Sequence, residues 1–334
     1  MRQTRWAVLG PGAISRDFVA GLRASAHGVL QAVGSSSADR ASAFAGEHGA
    51  QASGTYDEVL ARDDIDAVYI GTVHTTHRDL AIRALEAGKA VLCEKPASPT
   101  ADDVDRILAA AARAQRPFVE AYKNRFGPCA DAVRALLTSG ELGAPERVEA
   151  SFGFDAGTRE GRLFDPAVGG GAILDVGCYP LSLAVEIARV GRMPGAGGPP
   201  SSGPGLLTAS ADIVEGVDGH ARAEFEVAGV VAAVETSIVR DLPRSAVIRC
   251  ERGTIELPDA WGGRAESATT IIVRRAGAHR VVTLASIQPM AAEADAVSLA
   301  LGAGSLEVPE IPWEDSRAIA LALTLWRGAV LSEG

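Results

Sequence analysis

Up to about residue 120 the chain alternates short apolar runs with longer stretches of helical periodicity. No other feature narrows the fold as much, because this is the pattern of stacked βαβ units around a parallel sheet. Trp6–Leu9 and Val29–Val33 read as strands, with a helix over Ile14–Ser25 between them. Ser37 is placed to cap a helix over Asp39–His48. A short helix over Tyr56–Ala61, a strand over Ala67–Gly71 and a helix over His77–Ala87, closed by Gly88, continue the rhythm. A strand over Ala90–Glu94, a long helix over Ala101–Ala114 and a last strand at Phe118–Glu120 complete it.

Beyond residue 121 the rhythm changes. One or two helices come first, then Val148–Phe154, Leu207–Val214, Ala221–Val227, Val230–Val239 and Ser245–Cys250 read as successive strands, as hairpin-linked antiparallel sheets do. At 334 residues the chain exceeds what one core covers. The expected architecture is therefore an α/β Rossmann domain over 1–121, followed by an α+β domain over 122–334 with a large, mainly antiparallel sheet, and a cleft between them. Gly191–Gly205 holds six Gly and four Pro and reads as an exposed loop. A helix near Trp313–Leu331 closes the chain.

The first strand runs straight into Gly10-Pro11-Gly12-Ala13-Ile14-Ser15, which opens the first helix. Small residues there let backbone approach a pyrophosphate, and the helix N-terminus offers free N–H groups, so Gly10, Gly12, Ala13 and Ile14 are the expected dinucleotide cradle. Ser15 stands where the fingerprint has its third Gly; the flanking strand and helix, more than the motif, carry the reading. The second strand ends at Ser35-Ser36-Ser37, without the acid that NAD-preferring proteins place there to bind the ribose 2′-hydroxyl. Arg40, one turn on, suits a 2′-phosphate, so NADP is the expected cofactor, with NAD open.

A net charge of -10 without a basic stripe argues against nucleic acid as a partner. The apolar runs read as shorter than the roughly 18 residues a membrane span needs. Trp6–Gly10 is too short for a signal-peptide core, which makes the cytoplasm the expected compartment. Four widely spaced cysteines suggest free thiols. His74 and His77 have no third ligand nearby in sequence, so no metal is expected.

Gly10–Ser15, Thr72–His77, Cys93-Glu94-Lys95-Pro96, Glu120–Pro128 and Gly169–Tyr179 come in an order and spacing that resembles the Gfo/Idh/MocA oxidoreductases over nearly the whole chain. With Tyr179 in Asp175-Val176-Gly177-Cys178-Tyr179-Pro180, the sequence is most similar to the dihydrodiol dehydrogenase and NADP D-xylose dehydrogenase branch. The resemblance implies that Thr72, His74, His77 and Glu94 border the cofactor, that Lys95 and Tyr179 are catalytic, and that Arg125 and Asp175 meet the substrate. It also implies an open-faced second sheet through which copies associate as a homodimer or larger homo-oligomer. Lys123 and Asn124 replace apolar and aromatic residues expected in that motif, and read equally as pocket-lining or surface residues.

On the residues themselves, Lys95 follows a parallel strand at the edge where ligands of such sheets bind. Asp175 lies one helical turn before Tyr179, with Pro180 predicting a kink there. Asp175 also reads as a helix cap, and Tyr179 as a core aromatic. The expected activity is hydride transfer between a nicotinamide and a sugar or cyclic diol. A non-catalytic dinucleotide-binding regulator of the same fold is the alternative, and the presence of both Lys95 and Tyr179 weighs against it.

Overall fold

The computed structural model describes residues 2–191, 203–262, 268–285 and 288–331. They form two compact units, one of residues 2–98, 102–123 and 288–316, the other of the described residues in 99–101, 124–285 and 317–331. Most of the Gly191–Gly205 loop expected from the sequence lies outside the described residues.

The first unit follows the expected alternation: β1 (Thr4–Leu9), α1 (Ala13–Ala24), β2 (Gly28–Gly34), α2 (Ala38–His48), β3 (Ala52–Gly54), α3 (Tyr56–Leu60), β4 (Ala67–Ile70), α4 (His77–Glu86), β5 (Ala90–Glu94), α5 (Ala101–Ala114) and β6 (Phe118–Ala121). The sheet order is β3-β2-β1-β4-β5-β6, with every pair parallel. The order reverses between β1 and β4, and open parallel sheets bind ligands beyond the strand ends at such a switch. Strands buried on both sides explain the uninterrupted apolar runs: Ala67–Ile70 and Ala90–Cys93 are wholly buried.

The second unit contains α6 (Pro128–Thr138), β7 (Pro145–Asp155), α7 (Cys178–Val190) and the strands β8 (Gly205–Val214), β9 (Val217–Val227), β10 (Val230–Ser237), β11 (Val239–Leu242), β12 (Ala246–Cys250), β13 (Gly253–Leu257), β14 (Thr269–Arg275) and β15 (Ala278–Leu284). The sheet runs β15-β14-β13-β12-β7-β10-β9-β8, with β11 paired to β7; β7–β10 is its parallel pair. The sequence reading ends its strands at Cys250 and does not include β13, β14 and β15, which are short or, in β15, largely exposed. β9 alternates cleanly, with Ala221, Ala223, Phe225 and Val227 buried against α7 while Arg222 and Glu226 stay exposed. On that outer face Arg147 pairs with Glu224, and Arg249 with Glu149.

Pro166–Val190 has the length and mean hydropathy of a membrane span, which the sequence reading did not credit to any segment, but it is 94% buried within this unit. Its helical parts, a turn over Ile173–Gly177 and α7, belong to the core of this unit.

The sequence boundary at 121/122 needs correction at the C-terminal end. α8 (Pro289–Ala303) returns to the first unit and packs on α1. A Cβ on Gly21 of α1 would meet Met290 Cβ at 2.7 Å, so the two backbones approach closely there. The Asp295 carboxylate fastens the same contact, accepting the N–H groups of Ala26 and His27. α9 (Trp313–Leu331) begins in the first unit and from Arg317 belongs to the second.

Candidate active site

In the first unit, the chain leaves β1 through Gly10 with φ +91; a Cβ there would stand 2.5 Å from Thr72 Cγ2. Gly12 differs, since nothing lies within 4 Å of where its Cβ would be. It caps α1 without a side-chain hydrogen bond, leaving the first-turn amides for a ligand. Ser15 in the third-Gly position donates its hydroxyl back to Gly10 O over 2.7 Å. This tightens the turn from inside. The cradle therefore fits a dinucleotide pyrophosphate, approached at Gly12 and the amides of Ala13 and Ile14.

At the end of β2, Ser35 is buried and its hydroxyl accepts the Ser37 N–H. Ser37 caps α2 as expected, accepting the Arg40 N–H. Exposed Ser36 receives Arg40 Nη2 at 2.9 Å, so the guanidinium is folded toward the strand end.

Beyond β4, Thr76 donates to Thr72 Oγ1 at 2.8 Å, and His74 is buried beside His77. His77 corrects the expectation of a cofactor contact. It is fully buried, with Nδ1 2.9 Å from Pro96 O and Nε2 3.2 Å from Thr72 O. Burial lowers its pKa, and a neutral ring has a single N–H to donate, to Pro96 O or to Thr72 O, so the ring packs between the turn after β4 and the turn after β5 and bonds one of them. Glu120 Oε1 accepts the Ala97 N–H at 2.8 Å and fixes the same loop. Between these anchors stands Lys95, partly exposed at the end of β5.

Glu94 likewise departs from expectation. Its carboxylate accepts the Tyr69 hydroxyl at 2.7 Å and is buried beneath the strand end. Burial raises its pKa, opposed first by the Lys95 charge. Glu293 of α8, also buried, is pushed well above the carboxylate range by burial and the Glu94 charge, while Lys123 acts on both carboxyls in the opposite sense. Lys123 is thus partly buried and tied electrically to the strand end. Neither Tyr69 nor Glu293 was singled out from sequence; a lone Glu in an Ala-rich helix gives no such signal.

In the second unit, Asp175 lies in a π-helical turn, Ile173–Gly177, that runs directly into α7. Pro180 stands just after the π-helical turn in a continuous helix, and because it has no N–H to return to the preceding turn, it sits where that turn has already left α-geometry. The departure from α-geometry therefore falls ahead of Tyr179 rather than at it. Asp175 is 7% exposed and paired with Arg162 at 2.9 Å. The Tyr179 ring, also mostly buried, lies 5.4 Å from Phe152 and 6.0 Å from Trp261, with the Arg244 guanidinium 4.7 Å over Phe152. Arg125 is not open to substrate: it is fully buried, its Nε 3.2 Å from Glu186 and its Nη1 2.8 Å from Ser182 O.

The family profile described as "Oxidoreductase family, NAD-binding Rossmann fold" matches residues 4–122, and "GFO/IDH/MocA C-terminal domain" matches 130–256. The trans-1,2-dihydrobenzene-1,2-diol dehydrogenase of Xenopus tropicalis is 33% identical over 277 residues, 81% of this chain and 78% of that one. The chain belongs to the Gfo/Idh/MocA oxidoreductase family. The mouse dihydrodiol dehydrogenase is 30% identical over 98% of this chain and 96% of its own. A 3-ketoreductase from Actinomadura kijaniata, solved with NADP and TDP-benzene, shares the fold with a TM-score of 0.84 at 24% identity, covering 98% of each chain. The aldose-aldose oxidoreductase of Caulobacter crescentus has the same TM-score at 21% identity, covering 100% of this chain and 98% of its own. The protein is an NAD(P)-binding oxidoreductase of this family.

Proposed function

We propose that the protein transfers a hydride reversibly between a CH–OH carbon of a sugar or cyclic diol and NADP. The reading rests on one observation above all: Lys95 is held at the end of β5, next to the sheet's switch point, by backbone anchors from His77 and Glu120. When bound, the nicotinamide takes up or returns the hydride. Tyr179 moves the proton of the substrate hydroxyl. A tyrosine ordinarily ionises near ~10, so this role needs a cation at the phenol, and Lys95 supplies it while polarising the same substrate oxygen. Asp175, fixed by Arg162, orients the substrate. The dihydrodiol and sugar substrates in the names of the relatives support the substrate class. The absence of an acid at the end of β2 and the Ser36–Arg40 pair support NADP.

A screen of aldoses, inositols and diols, followed by NADPH absorbance, tests the proposal. Turnover of a member of this set is the expected result. Tight cofactor binding with no turnover across the set would favour the regulator instead. We further propose a homo-oligomer formed through the second sheet, which leaves Leu207 and Ile213 exposed on β8 at one edge and Val281 exposed on β15 at the other. Light scattering showing only a species at the chain mass of 34.4 kDa would refute it.

A further inference from the structure

Asp218 of β9 is fully buried, yet no part of the reaction above uses it. Its Oδ2 accepts the Ile173 N–H at 2.6 Å, at the opening of the π-helical turn that carries Asp175. Its Oδ1 lies where a side chain on Gly171 would begin, and the backbone amides of Ala172 and of Asp218 itself act on the same carboxylate. Gly171 has φ +110, so both its backbone and the space beside it require glycine. The β10 side chain at this place is uncharged: Thr236 donates its hydroxyl to Ala172 O at 3.2 Å. The charged side chain acting on Asp218 is Arg327 of α9, partly buried and with an unbonded Nε. On its far side the same turn packs Ala172 and Val176 against Phe164, Val217 and Ile238. A buried carboxylate thus grips the first amide of a segment whose next polar side chains are Asp175 and Tyr179.

Resting on the proposed roles of those two residues, we propose that Asp218 is a positioning residue for the reaction. Its carboxylate holds the opening of the 173–179 segment against β9 and so sets where Asp175 and Tyr179 stand. The negative form is the effective one, because a carboxylate accepts an amide N–H more strongly than a carboxylic acid does, and it also complements the positive end of the helix. Burial pushes the Asp218 carboxyl up to about 6, so over a mildly acidic range in which an exposed aspartate stays ionised the Ile173 N–H meets a neutral acid, a weaker acceptor that positions the turn less firmly.

The test pairs Asp218→Asn, which keeps the shape and removes the charge, with hydrogen exchange on the wild type. In the folded variant we expect unchanged cofactor affinity, a fall in kcat of about 10–100-fold, and no acid limb near pH 6, where the wild type is expected to have one. A folded variant with wild-type kcat and an unaltered acid limb would overturn the proposal. Should the variant not fold, exchange of the 172–178 amides in the wild type still decides. Once corrected for intrinsic rates and compared with amides remote from Asp218, protection that is stronger at pH 5 than at pH 7.5 shows that these amides open together with the buried carboxyl and supports the hold, and a pH response no different from the remote amides overturns it. Exchange needs no turnover, so it reads the hold of Asp218 even where Tyr179→Phe shows the tyrosine to be dispensable.

Discussion

Arg125 Nε stands 3.2 Å from Glu186 Oε2 with both side chains sealed from water, and Arg134 Nη1 reaches the other oxygen of Glu186 at 2.6 Å. This arrangement ties the turn after Lys123 to α7. Arg134 still faces Glu186 once Arg125 is gone, but the carboxylate loses one of its two cationic partners and a buried cavity opens, so Arg125→Ala should cost about 2–4 kcal/mol in chemical denaturation. A residue that met substrate would instead raise KM at unchanged stability. That result would restore the reading taken from the motif.

The difference between those two readings shows what the sequence can carry. The Gly10–Ser15 cradle, the Ser37 cap and Lys95 at a strand end are local patterns, fixed by residues within a few positions of one another, and each stands where the sequence placed it. Arg125 and Glu186, or Asp218 and Ile173, meet only through the tertiary fold, and nothing in their neighbours announces it. α8 was missed for another reason. Its Ala-rich turns are apolar almost all round, so no face points to a partner until α1 supplies one.

Arg40→Ala tests the cofactor preference. The guanidinium is exposed and held by Ser36 Oγ, and a charge-assisted contact with a 2′-phosphate contributes about 1–3 kcal/mol. Titration should therefore show a selective loss of NADP affinity with NAD binding unchanged. Equal affinities for the two cofactors in the wild type would end the assignment.

Asp218 also leaves a signature in stability. Its folded pKa is raised from 3.8 to about 6, so between those values the native state keeps a proton that the unfolded chain has released, and stability falls as pH rises. Other groups contribute their own slopes, and Asn at 218 changes the offset through Arg327. The difference between wild type and Asp218→Asn isolates the titration. It should decline by about 2 kcal/mol from pH 4 to pH 7. A flat difference would mean that the carboxyl titrates as an ordinary aspartate.

Tyr179 and Lys95 carry the sharpest test, because they come from different units of the chain and are assigned to one substrate hydroxyl. Tyr179→Phe removes a single oxygen from a ring packed between Phe152 and Trp261, so folding and cofactor binding should survive. Turnover should fall by about 10²–10⁴-fold, the usual contribution of a positioned acid–base group. Lys95→Met should also remove most activity, but with a different residue of behaviour: without the cation the phenol loses its proton less readily, so what activity remains should need a higher pH than the wild type. Near-normal turnover in Tyr179→Phe with an unchanged pH profile would make the tyrosine a packing residue. The proton would then have to pass through another group, for which His74 and Lys123, the one buried beyond β4 and the other acting electrically on Glu94, are the next to substitute.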